Sequence, residues 1–344
     1  MLPKKELNEI REIIKKSNDP LYIFDDDGDG LCSYLVLKKH FKKGRGRPIK
    51  KAGPLDNFYL DYMDEGKPDL IIILDKAVVS QSFIDEVPCP VLYIDHHPLQ
   101  NLKNIKYFNP LKYRKKIYIP TSEIAYSVTE DYLWIAAVGS LFDYKIPYFI
   151  KEFKKQYKDL LTKIPKSAGY VRFETKLGEL IKVFAYNIKG KRSEVKKSVQ
   201  AFEKIETPYE IINKTSEHGK FLQERYERLE KQYQAILKEA KKSASKDKIL
   251  IFEHPVSSIS FTSELSTELS YWYPDKIIII KKEKDNGYKF SIRHQKGNVR
   301  KIFEKSMEGI RGHGGGHEHA VGGFVDRDDF ERFLENFRKN IKKA

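Results

Sequence analysis

Three short apolar runs, each closed by an aspartate, organise the first third of the chain: Leu21 to Phe24 before Asp25, Leu70 to Leu74 before Asp75, and Val91 to Ile94 before Asp95. Runs of this length with no polar face predict strands buried on both sides, as in a parallel sheet. Between them lie helical or mixed segments such as Leu31 to Phe41, which gives a β-α-β order. Upstream, Leu7, Ile10, Ile13 and Ile14 recur at helical spacing and predict a helix over Lys4 to Lys16, stopped by Asn18-Asp19-Pro20. Asp131 to Phe142 is apolar with small residues (Ala136, Ala137, Gly139, Ser140), which predicts a closely packed helix carrying Asp143 inward. From residue 145 to 247 Lys, Glu and Tyr prevail, with a charged helical stretch from about Gly219 to Lys242. Strand runs return at Ile249 to Phe252 and Ile277 to Ile280, before the glycine-rich Gly312 to His317. The expected fold class is therefore α/β: an N-terminal parallel-sheet domain over 1–150, a helical connector over 151–247, and a smaller C-terminal α/β domain over 248–344.

The acids change the picture. Asp25, Asp27, Asp29 and Gly30 fit the start of a calcium-binding EF-hand loop, but the bidentate Glu needed at the twelfth position is replaced by Val36. The apolar run before it is also not a long entering helix. The segment then reads either as a solvated acidic turn or as a strand end delivering carboxylates at the carboxyl edge of a sheet. If the three strands lie parallel, Asp25, Asp75 and Asp95 gather at one edge, which is costly without a cation to neutralise them.

The balance of 64 Lys plus Arg against 49 Asp plus Glu gives a formal charge of +15. Such an excess suits a polyanionic partner, and equally a Lys-rich solvated surface of the kind found in heat-loving organisms. Two isolated cysteines, Cys32 and Cys89, exclude a disulfide framework and a cysteine zinc site and point to a reducing, cytoplasmic setting. No apolar run approaches the ~20 residues of a membrane span, so no membrane partner is expected.

After the third strand comes Asp95-His96-His97, and imidazole among several carboxylates suits Mn, Mg or Zn in a two-metal hydrolytic site. His313, His317 and His319 also lie close in sequence, but tetrahedral zinc needs further ligands and no cysteine lies nearby.

In order and spacing these elements resemble the DHH family of phosphoesterases, in its RecJ and nanoRNase branch. Asp25, Asp27, Asp29 and Gly30 match its first motif, Asp75 the second, Asp95-His96-His97 the third and Asp143 the fourth. Asn109-Pro110 and Thr121-Ser122-Glu123 resemble landmarks between the last two. Phe290-Ser291-Ile292-Arg293 and Gly314 to Gly322 resemble the DHHA1 domain, and residues 145–247 match no motif.

The resemblance implies two divalent cations, Mn²⁺ first and Mg²⁺ as the other choice. One would be held by Asp25, Asp27 and a bridging Asp75, the other by Asp29, Asp75, His96 and Asp143, while Asp26 is expected not to bind. His97 would contact the scissile phosphate or protonate the leaving oxygen, with Asp95 behind it or behind His96. Ser291, Arg293, Gly314, Gly315, Gly316 and His317 would bind substrate phosphate. The implied activity is exonucleolytic hydrolysis of single-stranded DNA or RNA to nucleoside 5′-monophosphates by a metal-activated water. The alternatives are a nanoRNase or cyclic-dinucleotide phosphodiesterase acting on short oligonucleotides, and a replication scaffold whose partners include proteins such as GINS.

Overall fold

The structure is a computed structural model and describes residues 1–49, 53–63, 66–257 and 259–341. The chain divides into two compact units, Met1–Tyr226 and Glu227–Ala344.

In the first unit α1 (Lys4–Lys16) leads into five parallel strands, β1 (Pro20–Asp25), β2 (Arg45–Ile49), β3 (Leu70–Leu74), β4 (Val91–Ile94) and β5 (Lys106–Phe108), in the order β2-β1-β3-β4-β5. Every side chain of β3 and β4 is buried. At about 1.5–3 kcal/mol for each large aliphatic group, this central pair is strong enough to carry an unfavourable polar edge. The register fixes where that edge lies. Phe24 is level with Leu74, and Leu74 with Ile94, so Asp25, Asp75 and Asp95 follow side by side on adjacent strands. Ile94 is level with Phe108, which sets Asn109 beside Asp95. The convergence expected from the three apolar runs is therefore present.

Five further helices complete the part of this unit that bears on the site: α2 (Gly28–Phe41), α3 (Gln81–Glu86), α4 (Thr121–Thr129), α5 (Leu133–Phe142) and α6 (Ile150–Gln156). The small residues of α5 let it approach closely. A Cβ placed on Gly139 would stand 2.6 Å from Ser122 Oγ of α4 and 2.7 Å from Cys32 Cβ of α2. Cys32 is thus a small buried packing residue. The helical middle continues through α7 (Ala168–Glu174), α8 (Lys176–Asn187), α9 (Arg192–Phe202), α10 (Pro208–Ile212) and α11 (Glu217–Lys242), the last beginning in the first unit and ending in the second.

The second unit carries β6 (Ile249–Glu253), α12 (Thr262–Trp272), β7 (Ile277–Lys284), β8 (Gly287–Arg293), α13 (Val299–Ser306), β9 (Gly312–His317), β10 (Ala320–Asp326) and α14 (Phe330–Ile341). Its sheet has the order β6-β7-β8-β10-β9, around a core that includes Ile279, Phe290, Phe303, Phe333 and Phe337. Gly312 to His317 is an extended edge strand rather than a tight turn. The cause is glycine against glycine: Gly314 pairs with Gly323 and Gly315 with Gly322. A Cβ on Gly323 would stand 2.6 Å from His313 O, so side chains would force the two strands apart. Among the described residues no helix is long and apolar enough to cross a membrane.

Candidate metal centre

The carboxyl edge of the parallel sheet collects the acids. Asp75 leaves β3 with φ +58°, a left-handed conformation that an aspartate tolerates better than most residues and that turns its side chain back over the strand ends. Its Oδ1 lies 3.2 Å from His96 Nε2 and 4.0 Å from His97 Nδ1. The same His96 nitrogen is 3.5 Å from Asp143 Oδ2, brought in at the end of α5. Two groups of donor atoms result, each within 4.8 Å: Asp75, His96 and His97; and Asp29, His96 and Asp143.

Asp29 is fully buried in the first turn of α2 and accepts from Thr121 N at 2.6 Å, from Ser122 N at 3.1 Å and from the Ser122 hydroxyl. It therefore caps the start of α4, where backbone N–H groups are unsatisfied within the helix. Asp27 caps α2, accepting from Gly30 N at 2.9 Å. Asp25 and Asp27 stand outside both donor groups. Asp25 is instead paired with the buried Lys76, whose Nζ lies 2.7 Å from its Oδ1.

The electrostatics are those of an acidic cluster held away from water. Burial, then the charges of Asp25 and Asp29, push the Asp27 carboxyl up to about 8. Burial raises Asp75 and Asp143 well above the ordinary carboxylate range, reinforced in both by Asp29 and Asp27. Burial raises Asp29 too, against the opposing bonds from Ser122 and Thr121. Each carboxyl thus gains when positive charge arrives. Burial pulls the His97 imidazole down, but the Asp95 hydrogen bond and the Asp95, Asp143 and Asp25 charges hold it above its ordinary value.

Asp95 is wholly buried and works through His97. It accepts from His97 Nδ1 at 2.8 Å and from His97 N at 3.0 Å, while Asn109 Nδ2 approaches its Oδ2 at 3.3 Å and donates to His97 O at 2.9 Å. With Nδ1 committed to a carboxylate, Nε2 is the ring nitrogen left for chemistry.

In the second unit Ser291, Gly322 and Gly315 form one row across β8, β10 and β9, and Arg293, Ala320 and His317 the next but one. Alternation along the strands places Ser291, Arg293, Gly315 and His317 on one face. Ser291 Oγ is 2.9 Å from Ser266 Oγ, and Arg293 donates to Ser263 Oγ at 3.2 Å. A Cβ added to Gly315 would meet nothing within 4 Å. This row leaves an open shelf with a guanidinium on one side.

Residues 21–162 match the DHH family, N-terminal domain, and residues 262–343 match the DHHA1 domain. The chain belongs to the DHH/DHHA1 family. In solved structures its fold resembles RecJ from Thermus thermophilus in complex with Mn²⁺, with a TM-score of 0.72 at 14% identity over 100% of this chain and 55% of that one. The chain thus spans about half the length of that protein. It also resembles CDC45 from Entamoeba histolytica (TM-score 0.57, 11% identity, 98% of each chain) and the pGpG-specific phosphodiesterase PggH from Vibrio cholerae (TM-score 0.52, 13% identity, 95% of this chain and 100% of that one). At such identities the likeness is one of fold. No curated protein matches the sequence.

The DHH domain's donor set fits a hard or borderline divalent cation, being carboxylate oxygens with imidazole. Its separations of 3.2 and 3.5 Å between His96 and the flanking acids are close to the ~3 Å expected between neighbouring ligands each ~2.1 Å from one ion. Two residues of the DHH domain escaped the sequence reading. Tyr118 donates to Asp143 Oδ2 at 2.8 Å and sets its ring 5.1 Å from that of His96. Lys76 immediately follows a strand-end acid, which is the signal that could have marked it.

Proposed function

We propose that this chain is a metal-dependent phosphodiesterase, a RecJ-like exonuclease that hydrolyses single-stranded DNA or RNA to nucleoside 5′-monophosphates. The observation that carries the reading is the convergence of Asp29, Asp75, His96 and Asp143 on one buried edge, with His97 held beside them by Asp95. Divalent cations bound here, Mn²⁺ or Mg²⁺, would make water nucleophilic near neutral pH and offset charge gathering on the phosphoryl oxygens.

Asp29, Asp75, His96 and Asp143 would hold one ion, and Asp25, Asp27 and Asp75 a second once Lys76 withdraws. Tyr118 fixes Asp143, and Asp95 with Asn109 fixes the His97 ring. His97 Nε2 then meets the departing oxygen and gives it a proton, a role for which an imidazole held above its ordinary pKa is suited. Ser291, Arg293, the Gly314 to Gly316 backbone and His317 are the proposed phosphate contacts of the DHHA1 domain. Arg293 supplies a fork, and the edge glycines supply close access to backbone N–H groups.

A second reading, a phosphodiesterase of dinucleotides and short oligonucleotides, draws support from the fold likeness to PggH, matched over 100% of that chain. Incubation in Mn²⁺ with end-labelled single strands of DNA and RNA, from dinucleotides upward, separates the two. Progressive shortening of long strands supports the first, and cleavage confined to the shortest supports the second. Loss of cleavage in Asp75→Ala and His96→Ala is expected. Failure to cut any length would sink both and favour a binding role like the scaffold reading, with partners such as GINS to be sought.

A further inference from the structure

A groove in the first unit, separate from the metal centre, is shaped for an anion. It lies between the edge strand β2 and α9 and encloses about 260 Å³. Arg45 and Arg47 line it from the strand, and Arg192 and Lys196, one turn apart, from the helix. Against these four cations the described lining sets one carboxylate, Glu203, which already accepts the Tyr34 hydroxyl at 2.6 Å.

Arg45 is fixed in place by Asp19 at 2.6 Å and by the Gly66 carbonyl, so its guanidinium is ordered before any ligand arrives. Pro48 gives the edge no N–H, which blunts it as a template for an added peptide strand. A partner suited to a narrow groove lined by guanidinium and ammonium groups, one of them already offset by Asp19, is instead a phosphate-bearing one, since guanidinium matches phosphate with paired donors.

The register gives the groove a place relative to the metal centre. Arg47 is level with Ile23 and Arg45 with Leu21 on β1, the strand that ends in Asp25. At ~3.3 Å per residue these cations sit roughly 7 and 13 Å back along the strand direction from the level of Asp25.

We propose that this groove binds the sugar-phosphate backbone of a single nucleic-acid strand away from the bond that is cut, and so favours strands over dinucleotides. Calling that strand the substrate rests on the phosphodiesterase reading; the binding itself does not.

The test is fluorescence anisotropy of the full chain in EDTA with labelled dinucleotide, single strands of about 15 nucleotides and labelled AMP. The longer strand is expected to bind at least about tenfold more tightly than the dinucleotide. Arg47→Glu combined with Lys196→Glu is expected to weaken the longer strand by at least about tenfold and to flatten its salt dependence by about 1.4, two phosphates at ~0.7 each. Arg192→Ala, a milder change, should weaken it several-fold, and unchanged melting curves establish that both variants fold.

Unaltered strand affinity or salt slope in folded variants overturns the proposal. AMP binding weakened by the same factor as the strand would reassign the groove to a free nucleotide and overturn it equally. Mn²⁺-dependent cleavage of either substrate, the longer strand or the dinucleotide, by the wild type reads the metal centre separately. Its absence beside an intact groove effect sinks the proposed activity alone, and its presence beside no groove effect sinks this inference alone.

Discussion

Replacing Lys76 by Met tests whether the ammonium beside Asp25 stands in for a metal ion. The side chain of Lys76 is 6% exposed and that of Asp25 31%, with 2.7 Å between Nζ and Oδ1. Breaking a wholly buried pair by removing one partner costs about 3–5 kcal/mol, and an exposed pair contributes about 0–1 kcal/mol. With one member buried and the other partly wet, about 2 kcal/mol is the reasonable figure for metal-free protein. For a unit the size of Met1–Tyr226 this corresponds to a melting temperature lower by roughly 4–8 °C. Methionine keeps the apolar stem in place, so the loss reports charge rather than packing. Mn²⁺ should then stabilise the variant more than the wild type, because an ion entering beside Asp25 and Asp27 has no ammonium to displace. The two melting curves should converge as Mn²⁺ saturates. Differential scanning fluorimetry in EDTA, followed by a Mn²⁺ titration, makes the comparison. Identical melting in EDTA, or a gap that Mn²⁺ leaves unchanged, would refute the reasoning.

Other expectations follow from the same geometry. In EDTA, stability should fall as pH rises from about 5 to 8, because Asp27, Asp29, Asp75 and Asp143 are raised and the folded chain holds protons that the unfolded chain has released. The steepest slope is about 1.4 kcal/mol per pH unit for each proton, and urea melts at several pH values with and without Mn²⁺ would show the trend and its removal by metal. A rise in stability over that range would contradict it. Asp95→Asn takes away the charge that holds His97 up, so cleavage should drop roughly 10–100-fold and the alkaline limb of its pH profile should move to lower pH. An unshifted limb would remove His97 from the proton step. Gly139→Ala drives a methyl group into Ser122 and Cys32 and should cost about 1–3 kcal/mol while weakening Mn²⁺ binding through Asp143, as calorimetry would read. Unchanged melting and Mn²⁺ affinity would mean that α5 does not need its close approach.

The positions readable in the sequence are those where one local pattern carries the information. An apolar run followed by an acid placed Asp25, Asp75 and Asp95 at strand ends, because burial on both faces leaves no other place for such a run. The small residues of 136–140 announced close packing, and Gly139 indeed has no room for a Cβ. Elements that depend on distant partners were not readable. Arg45 to Ile49, with a glycine and a proline among its five residues, has no apolar run to mark it, and it is a strand because β1 offers an edge to pair with. Gly312 to His317 carries no apolar alternation that would mark a strand, and it is one only because the facing glycines of β10 pair with it. Tyr118 sits in a stretch of Lys and Arg, and nothing local reveals that its ring meets His96. For Lys76 the place after a strand-end acid is the one local clue, and its burial against Asp25 is decided by tertiary packing.

The bonds from Thr121 N and Ser122 N to Asp29 give the centre a spectator. Two backbone amides of α4 end directly on a carboxylate that would also grip an ion. Their exchange with deuterium would slow or quicken as that carboxylate is drawn toward metal, proton or neither. The state of the centre can therefore be followed from the helix beside it, in solution and with no substrate present.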